Sequence, residues 1–272
     1  MTVESTRTRV RRRVLPEGRA GSLWTSRPES GVLDFRGRRL RIEVPDPDEV
    51  LFPTDCGLSL LAAVAEAEDV ELAGLNVLDI GCGSGIYTVA ALAAGAARVT
   101  ALDINAASIE VTRTNVARNG FAESAVTGVT ADLRAYEPPT GFDVVLTNPP
   151  HLPYDPRYAS DNGLEAALIA GPDGRALYDT IVERADDLVL PGGQLVIAHS
   201  SLADVGLTTR RLLARGYECR TVEVCEMDIP VLAYAAHRAA LFHRLAELRD
   251  AGRAEFDGDR FSVHVLAFRR PA

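Results

Sequence analysis

The stretch Val77-Leu78-Asp79-Ile80-Gly81-Cys82-Gly83-Ser84-Gly85 decides the fold. A short apolar run enters three glycines spaced two apart, and an apolar helical pattern, Ile86–Ala94, follows. Strand, tight glycine turn and helix form the opening unit of an open α/β sheet. In such sheets ligands bind beyond the carboxyl ends of the strands, at the helix N-termini. Glycines let the backbone approach the ligand closely. The spacing is G-x-G-x-G, not the G-x-G-x-x-G of a dinucleotide site. The carboxylate of Asp79 just before it would repel a pyrophosphate and suits a cationic amino group.

Outward from this stretch the pattern stays regular. Strands are expected at Arg98–Asp103, Val126–Thr130, Phe142–Thr147, Gln194–His199, Tyr217–Cys225 and Phe261–Arg269. Helices are expected from Ala106 to about Asn119, from Arg175 to Val189 and from Ala203 to Arg215, stopped by Gly120, Pro191-Gly192-Gly193 and Gly216. Upstream, a helix begins at Asp55, and Val32–Val44 alternates apolar and polar residues around Gly37, a hairpin signal. Residues 1–30 show no period and are expected to be a loosely ordered arm. The alternation predicts an α/β protein with a seven-stranded, mostly parallel, doubly wound sheet. Because the chain ends strand–strand, its last strand is expected to be antiparallel. A helical insertion, about 231–251, separates those two strands, with Leu232, Ala236, Leu241, Leu245 and Leu248 at helical spacing.

Composition excludes several classes. The 272 residues carry 29 basic and 38 acidic side chains, a net charge of −9, and every basic one is Arg. Residues 1–44 hold 11 arginines against 5 acids, while the rest hold 18 against 33. A short basic arm therefore precedes an acidic body, a poor match for gripping a phosphate backbone. No apolar run approaches the roughly 18 residues of a membrane span. The N-terminus lacks the apolar segment of a secretory signal. Cys56, Cys82, Cys219 and Cys225 are scattered, which argues against zinc and disulfides and suits the cytoplasm. Absence of Lys excludes Schiff-base chemistry.

Asp103 ends the strand after the glycine loop, placed to accept hydrogen bonds from two ribose hydroxyls or to cap the next helix. Asp132-Leu133 follow a third strand and suit an adenine amino group. With these residues the chain resembles the class I S-adenosylmethionine-dependent methyltransferases over about residues 50–225. The resemblance implies a Rossmann-like fold and S-adenosylmethionine as cofactor. The chain is expected to divide into a basic arm with hairpin over 1–54 and a methyltransferase domain over 55–272.

Phe142-Asp143-Val144-Val145-Leu146-Thr147-Asn148-Pro149-Pro150-His151 carries the chemistry. Two prolines at a strand end fix φ and remove donors, leaving carbonyl oxygens free. The Asn148 side-chain oxygen and the Pro149 or Pro150 carbonyl can accept hydrogens from a substrate nitrogen and aim its lone pair at the methyl group. His151 can stack on a planar substrate. The segment resembles the N-P-P-aromatic motif of methyltransferases that modify planar nitrogens, among them the HemK-type protein-glutamine enzymes. His replaces the usual Tyr or Phe. Val50-Leu51-Phe52-Pro53-Thr54-Asp55 and Ala166–Gly174 resemble two further HemK-type stretches. That family's N-terminal helical bundle is missing.

The resemblance and the residues together give a candidate site. Asn148, Pro149, Pro150 and His151 are its catalytic residues. Phe52, Pro53, Thr54, Asp79, Gly81, Cys82, Gly83, Gly85, Asp103, Ile104, Asp132, Leu133 and Asn148 hold the cofactor. His151, Glu223, Glu226 and Asp228, with Asp155 and Asp161 beyond, face the substrate, and no metal is expected. The favoured acceptor is a planar or cationic nitrogen of a small molecule or amino-acid derivative. Protein glutamine comes second and a nucleic-acid base third. A cofactor-binding sensor without catalysis is the non-enzyme alternative. The insertion is expected to cover the acceptor site, form a homodimer contact or simply pack in the core.

Overall fold

The computed structural model describes residues 11–14, 24–27, 30–67, 70–153, 168–229 and 238–272. In chain order the strands are β1 (Arg11–Val14), β2 (Trp24–Arg27), β3 (Ser30–Phe35), β4 (Arg38–Glu43), β5 (Asn76–Ile80), β6 (Arg98–Asp103), β7 (Val126–Thr130), β8 (Phe142–Thr147), β9 (Val189–Ser200), β10 (Glu218–Asp228), β11 (Phe256–Asp257) and β12 (Arg260–Arg269). The α-helices are α1 (Asp55–Glu66), α2 (Ile86–Ala93), α3 (Ala106–Arg118), α4 (Ala176–Leu188), α5 (Val205–Leu213) and α6 (Arg238–Asp250).

The main sheet runs β1-β10-β12-β9-β8-β5-β6-β7, with β11 paired to β12. Strands β5 to β9 pair in parallel. Strand β12 is antiparallel to both β9 and β10 and lies between them. The doubly wound sheet with an antiparallel last strand is therefore present. The order reverses at β5, which has β6 on one side and β8 on the other. That reversal opens a crevice at the carboxyl ends of β5 and β8, where such sheets bind ligands. Val77 and Leu78 join apolar clusters on opposite faces, as a strand covered on both sides requires.

Four features depart from the sequence pattern, one being that β2, from the arm expected to be loosely ordered, pairs with β3. Strand β1, drawn from the arm, adds a parallel edge to β10, from Arg11 opposite Glu223 to Val14 opposite Glu226. Strand β9 does not begin after Pro191-Gly192-Gly193 but runs through it. The register slips there, Phe142 facing Val189 and Val144 facing Gln194, so the extra residues bulge and Gly192 takes φ +77°. The helix expected from Ala203 is preceded by a 3₁₀ turn, Ser201–Ala203, and begins after Asp204, whose side chain accepts from Leu207 N. Within the insertion, α6 buries Leu241, Leu245 and Leu248; Leu232 and Ala236 lie outside the described residues. Among the described residues no helix is long and apolar enough to cross a membrane.

Strands β2, β3 and β4 form a separate antiparallel sheet. Arg36 and Gly37, at φ 48° and 76°, close the β3–β4 hairpin as a two-residue turn with both residues left-handed. Its inner face, Leu33, Phe35, Leu40 and Ile42, packs into the larger core cluster. Strand β4 presents its free edge to α3. There Asn119 Oδ1 accepts from Arg41 N at 2.8 Å and Asn119 Nδ2 donates to Arg41 O at 2.7 Å. One turn earlier Asn115 makes the same pair with Glu43, at 3.0 and 2.9 Å. Two side-chain amides thus complete a strand edge that would otherwise invite pairing. Asn115 Nδ2 also donates to Ser84 O at 2.9 Å, which ties the hairpin to the glycine loop.

Candidate active site

The crevice is a cavity of about 820 Å³. Fourteen predicted residues line it: Phe52, Pro53, Thr54, Gly81, Cys82, Gly83, Asp103, Ile104, Asp132, Leu133, Asn148, Pro149, Pro150 and His151. The segment 46–54 forms one wall and is held by Asn105 Nδ2, which donates to Glu49 O at 2.9 Å. Thr54 Oγ1 caps α1 by accepting from Gly57 N at 3.3 Å. Thr147 Oγ1 donates to Ile80 O at 3.0 Å, which locks the ends of β5 and β8 together and sets Asn148 beside the glycine loop.

Five predicted residues do not line the cavity. Asp79 is wholly buried behind the loop, where its Oδ2 accepts from Thr88 N at 3.0 Å and Thr88 Oγ1 at 2.7 Å. It therefore holds α2 onto β5 rather than meeting a ligand directly. Gly85 packs against α3: at φ +76° its missing Cβ would fall 2.8 Å from Thr112 Cα. Glu223 is buried in β10 opposite β1. Glu226 and Asp228 approach Arg260 at 3.7 Å each. The reason is topological: β12 and β9 stand between β10 and the crevice. Asp155 and Asp161 lie outside the described residues.

Asp103 presents a largely buried carboxylate whose Oδ2 accepts from Gly83 N and Oδ1 from Asn105 N, both at 2.9 Å. Burial raises its pKa. Asn105, not Asp103, caps α3. Asp132 is engaged by Arg134, at 2.5 Å to the guanidinium and 2.9 Å to the backbone N, and its pKa is lowered by those bonds. Sequence reasoning missed Arg134, Tyr87 and Gly57. Tyr87 Oη donates to Gly57 O at 2.9 Å. A Cβ on Gly57 would lie 2.9 Å from that hydroxyl and 3.3 Å from Asn148 Nδ2, so only glycine leaves this corner open. Nothing local marks Gly57; its role depends on α1, α2 and β8 converging.

The residues present fit S-adenosylmethionine. The sides of Gly81 and Gly83 where a Cβ would stand are open, so a ligand can lie against the loop backbone. Asp103 lines the cavity, each of its carboxylate oxygens holding one backbone N–H and keeping a lone pair for a further donor. Behind the loop, Asp79 Oδ1 is buried with no hydrogen-bond partner. Its carboxyl is pushed up to about 7, first by burial and also by the charge of Asp103, against the Thr88 hydrogen bonds. A cation in the cavity would offset that cost.

This gives a pH prediction. Cofactor affinity should tighten as pH rises from about 5.5 to 7.5, because a cationic ligand favours ionised Asp79. Titration calorimetry across that range measures it, and Asp79→Asn should flatten the dependence. In the free protein the sign is opposite. The native state keeps the Asp79 proton from the ordinary carboxylate range up to about 7, so stability falls as pH rises through that window.

Residues 54–149 match the family model described as ribosomal protein L11 methyltransferase (PrmA). The fold of the chain, its cavity and this match are those of the class I S-adenosylmethionine-dependent methyltransferases. Its relatives include a Methanocaldococcus jannaschii protein, provisionally named a protein N5-glutamine methyltransferase, 28% identical over 69% of this chain and 88% of the relative. The ribosomal protein L11 methyltransferase of Pseudomonas paraeruginosa is 34% identical over 60% of this chain and 50% of its own. The chain thus spans about half the length of that relative. The crystal structure of a ribosomal protein L11 methylase from Lactobacillus delbrueckii subsp. bulgaricus shares the fold, with TM-score 0.51 and 18% identity over 84% of both chains.

Proposed function

We propose that the chain methylates a neutral, planar amide nitrogen of glutamine type, presented by a protein. The carrying observation is the character of the cavity around Asn148. Pro149, Pro150 and His151 follow Asn148 on the cavity wall, and Leu168, Ile169 and Ala170 line the same cavity. Burial keeps His151 neutral, its pKa pushed down to about 4. None of these carries a charge at pH 7. The charged residues lining the cavity, Asp46, Asp48, Glu49, Asp103, Asp132 and Arg134, come from other segments. Three of the acids expected to attract a cation, Glu223, Glu226 and Asp228, stand off the cavity, which removes their part of the support for a cationic acceptor. An uncharged amide suits such surroundings because it costs no ion desolvation.

S-adenosylmethionine supplies an electrophilic methyl group. The chain's own residues orient the acceptor. No described group takes the Asn148 side-chain amide, so its oxygen is available to an N–H of the acceptor. Holding that hydrogen turns the nitrogen toward the methyl group and localises its lone pair. The name of the archaeal relative and the segments Val50–Asp55 and Ala166–Gly174 support glutamine in particular.

The test is transfer of labelled methyl from S-adenosylmethionine into three separate pools: metabolites and free amino acids, total protein, and total RNA. Label in protein, recovered as N5-methylglutamine after enzymatic digestion, is expected. Label confined to metabolites, to RNA or to an amine would overturn the proposal.

A further inference from the structure

The ring of His151 is held in one tautomer. Its Nδ1 lies 3.3 Å from the Pro149 carbonyl oxygen. A carbonyl oxygen only accepts, so Nδ1 carries the hydrogen. A neutral imidazole has one N–H, which leaves a lone pair on Nε2. Among the described residues no donor meets Nε2, and His151 lines the cavity with Asn148.

The ring is also braced. The His151 backbone N donates to Leu168 O at 3.3 Å, and the Phe261 ring stands 5.9 Å away, tilted by 37°. Behind it, Gly174 approaches so closely that a Cβ would sit 2.3 Å from His151 O. The imidazole already occupies one lone pair of the Pro149 carbonyl and competes there with a substrate nitrogen. A primary amide brings two hydrogens; Asn148 and His151 both line the cavity, so Asn148 Oδ1 and His151 Nε2 can take one each, beside the Pro150 carbonyl.

We propose that His151 is the proton acceptor of the reaction, with Nε2 taking the second hydrogen of the attacking nitrogen. The inference rests on the amide reading above. As the nitrogen–methyl bond forms, the methyl–sulfur bond breaks and its electron pair stays on sulfur, which becomes a neutral thioether. The nitrogen, now cationic, gives a hydrogen to Nε2, and the N–H electron pair returns to the amide. An N-protonated amide is a far stronger acid than imidazolium, even an imidazolium weakened as a base by burial, so the transfer runs downhill. The imidazolium then loses its proton to water as product leaves. A Tyr or Phe at this position offers a ring face but no such lone pair.

The experiment compares the natural protein with His151→Phe and His151→Gln. Each receives labelled S-adenosylmethionine and a library of glutamine-containing peptides under single-turnover conditions. His151→Phe should lower the rate roughly a hundredfold, within the usual range for a lost general base. His151→Gln, which accepts a hydrogen bond but not a proton, should fall between. Calorimetric affinity for S-adenosylmethionine should stay unchanged in both. If His151→Phe loses the cofactor, His151→Gln carries the comparison. A natural rate in His151→Phe would make the ring a mere platform and overturn the proposal. So would a natural rate in His151→Gln, because hydrogen bonding alone would then suffice. If the natural protein labels another acceptor and no glutamine peptide, the amide reading fails. The same variants on that acceptor then test His151 separately.

Discussion

Asn148→Ala is expected to cut methyl transfer by about a hundredfold or more while cofactor affinity changes by less than about tenfold. The side chain stands at the end of β8, where Thr147 fastens the strand to β5, and it lines the cavity beyond the glycine loop. No described residue bonds its amide, so truncation to Ala breaks no hydrogen bond among the described residues. The loss should therefore fall on the step in which the acceptor nitrogen is oriented. Single-turnover transfer and calorimetric titration of S-adenosylmethionine separate the two effects. A rate within about threefold of the natural protein would remove Asn148 from the chemistry.

Arg175→Ala is expected to produce the largest loss of stability, about 3–5 kcal/mol. Its side chain is 1% exposed just before α4. Nη1 donates to Ala203 O and, at 2.7 Å, to Asp204 O. Nη2 donates to Asp179 Oδ1 at 2.8 Å and Thr208 Oγ1 at 2.9 Å. Thr208 meets His199 Nε2 at 2.8 Å, and His199 Nδ1 lies 3.0 Å from Ser200 O. Because that carbonyl only accepts, His199 is the Nδ1–H tautomer, and Thr208 donates to Nε2. Burial holds the His199 pKa down to about 3, and its ring stacks on Tyr178 at 3.8 Å. Removing the guanidinium takes the donor from the buried Ala203 carbonyl and the Thr208 hydroxyl, while Asp204 O keeps Leu207 N at 3.1 Å, and it leaves a void between α4 and α5. Asp179 keeps Arg211 at 2.9 Å, so the ion pair is not the main loss. Thermal unfolding should drop by on the order of 10 °C. A drop below about 2 °C would show that the cluster is dispensable.

The sheet and the cofactor loop were legible for a physical reason: glycines and prolines mark strand ends locally. Asn76–Ile80 and Phe142–Thr147 each sit between such breaks. The final strand–strand sequence also revealed the antiparallel pairing. What stayed hidden depends on contacts between distant segments. Strand β1 gains its partner more than two hundred residues away, and its arginine run carries no alternation. Arg175 resembles any surface arginine until α5 and the end of β9 close over it. Glu223, Glu226 and Asp228 were assigned to the cleft because strand ends usually face it. The insertion of β12 moved β10 out of reach, and only the strand order shows that. Asp79 was read as a ligand group because it precedes the glycines; the pleat turns it behind them.

The same placement of β12 constrains how the chain is made. On a ribosome, β9 and β10 both emerge before the strand that separates them. Until residues 260–269 arrive, β9 keeps one long edge unpaired, and β10 lacks the neighbour that joins it to the sheet. A nascent chain in that state presents two sticky borders at once. Translation arrest or proteolysis before Arg260 should therefore yield aggregate rather than a partly active fragment. Completion of the sheet is a late event in the life of each molecule, set by β12.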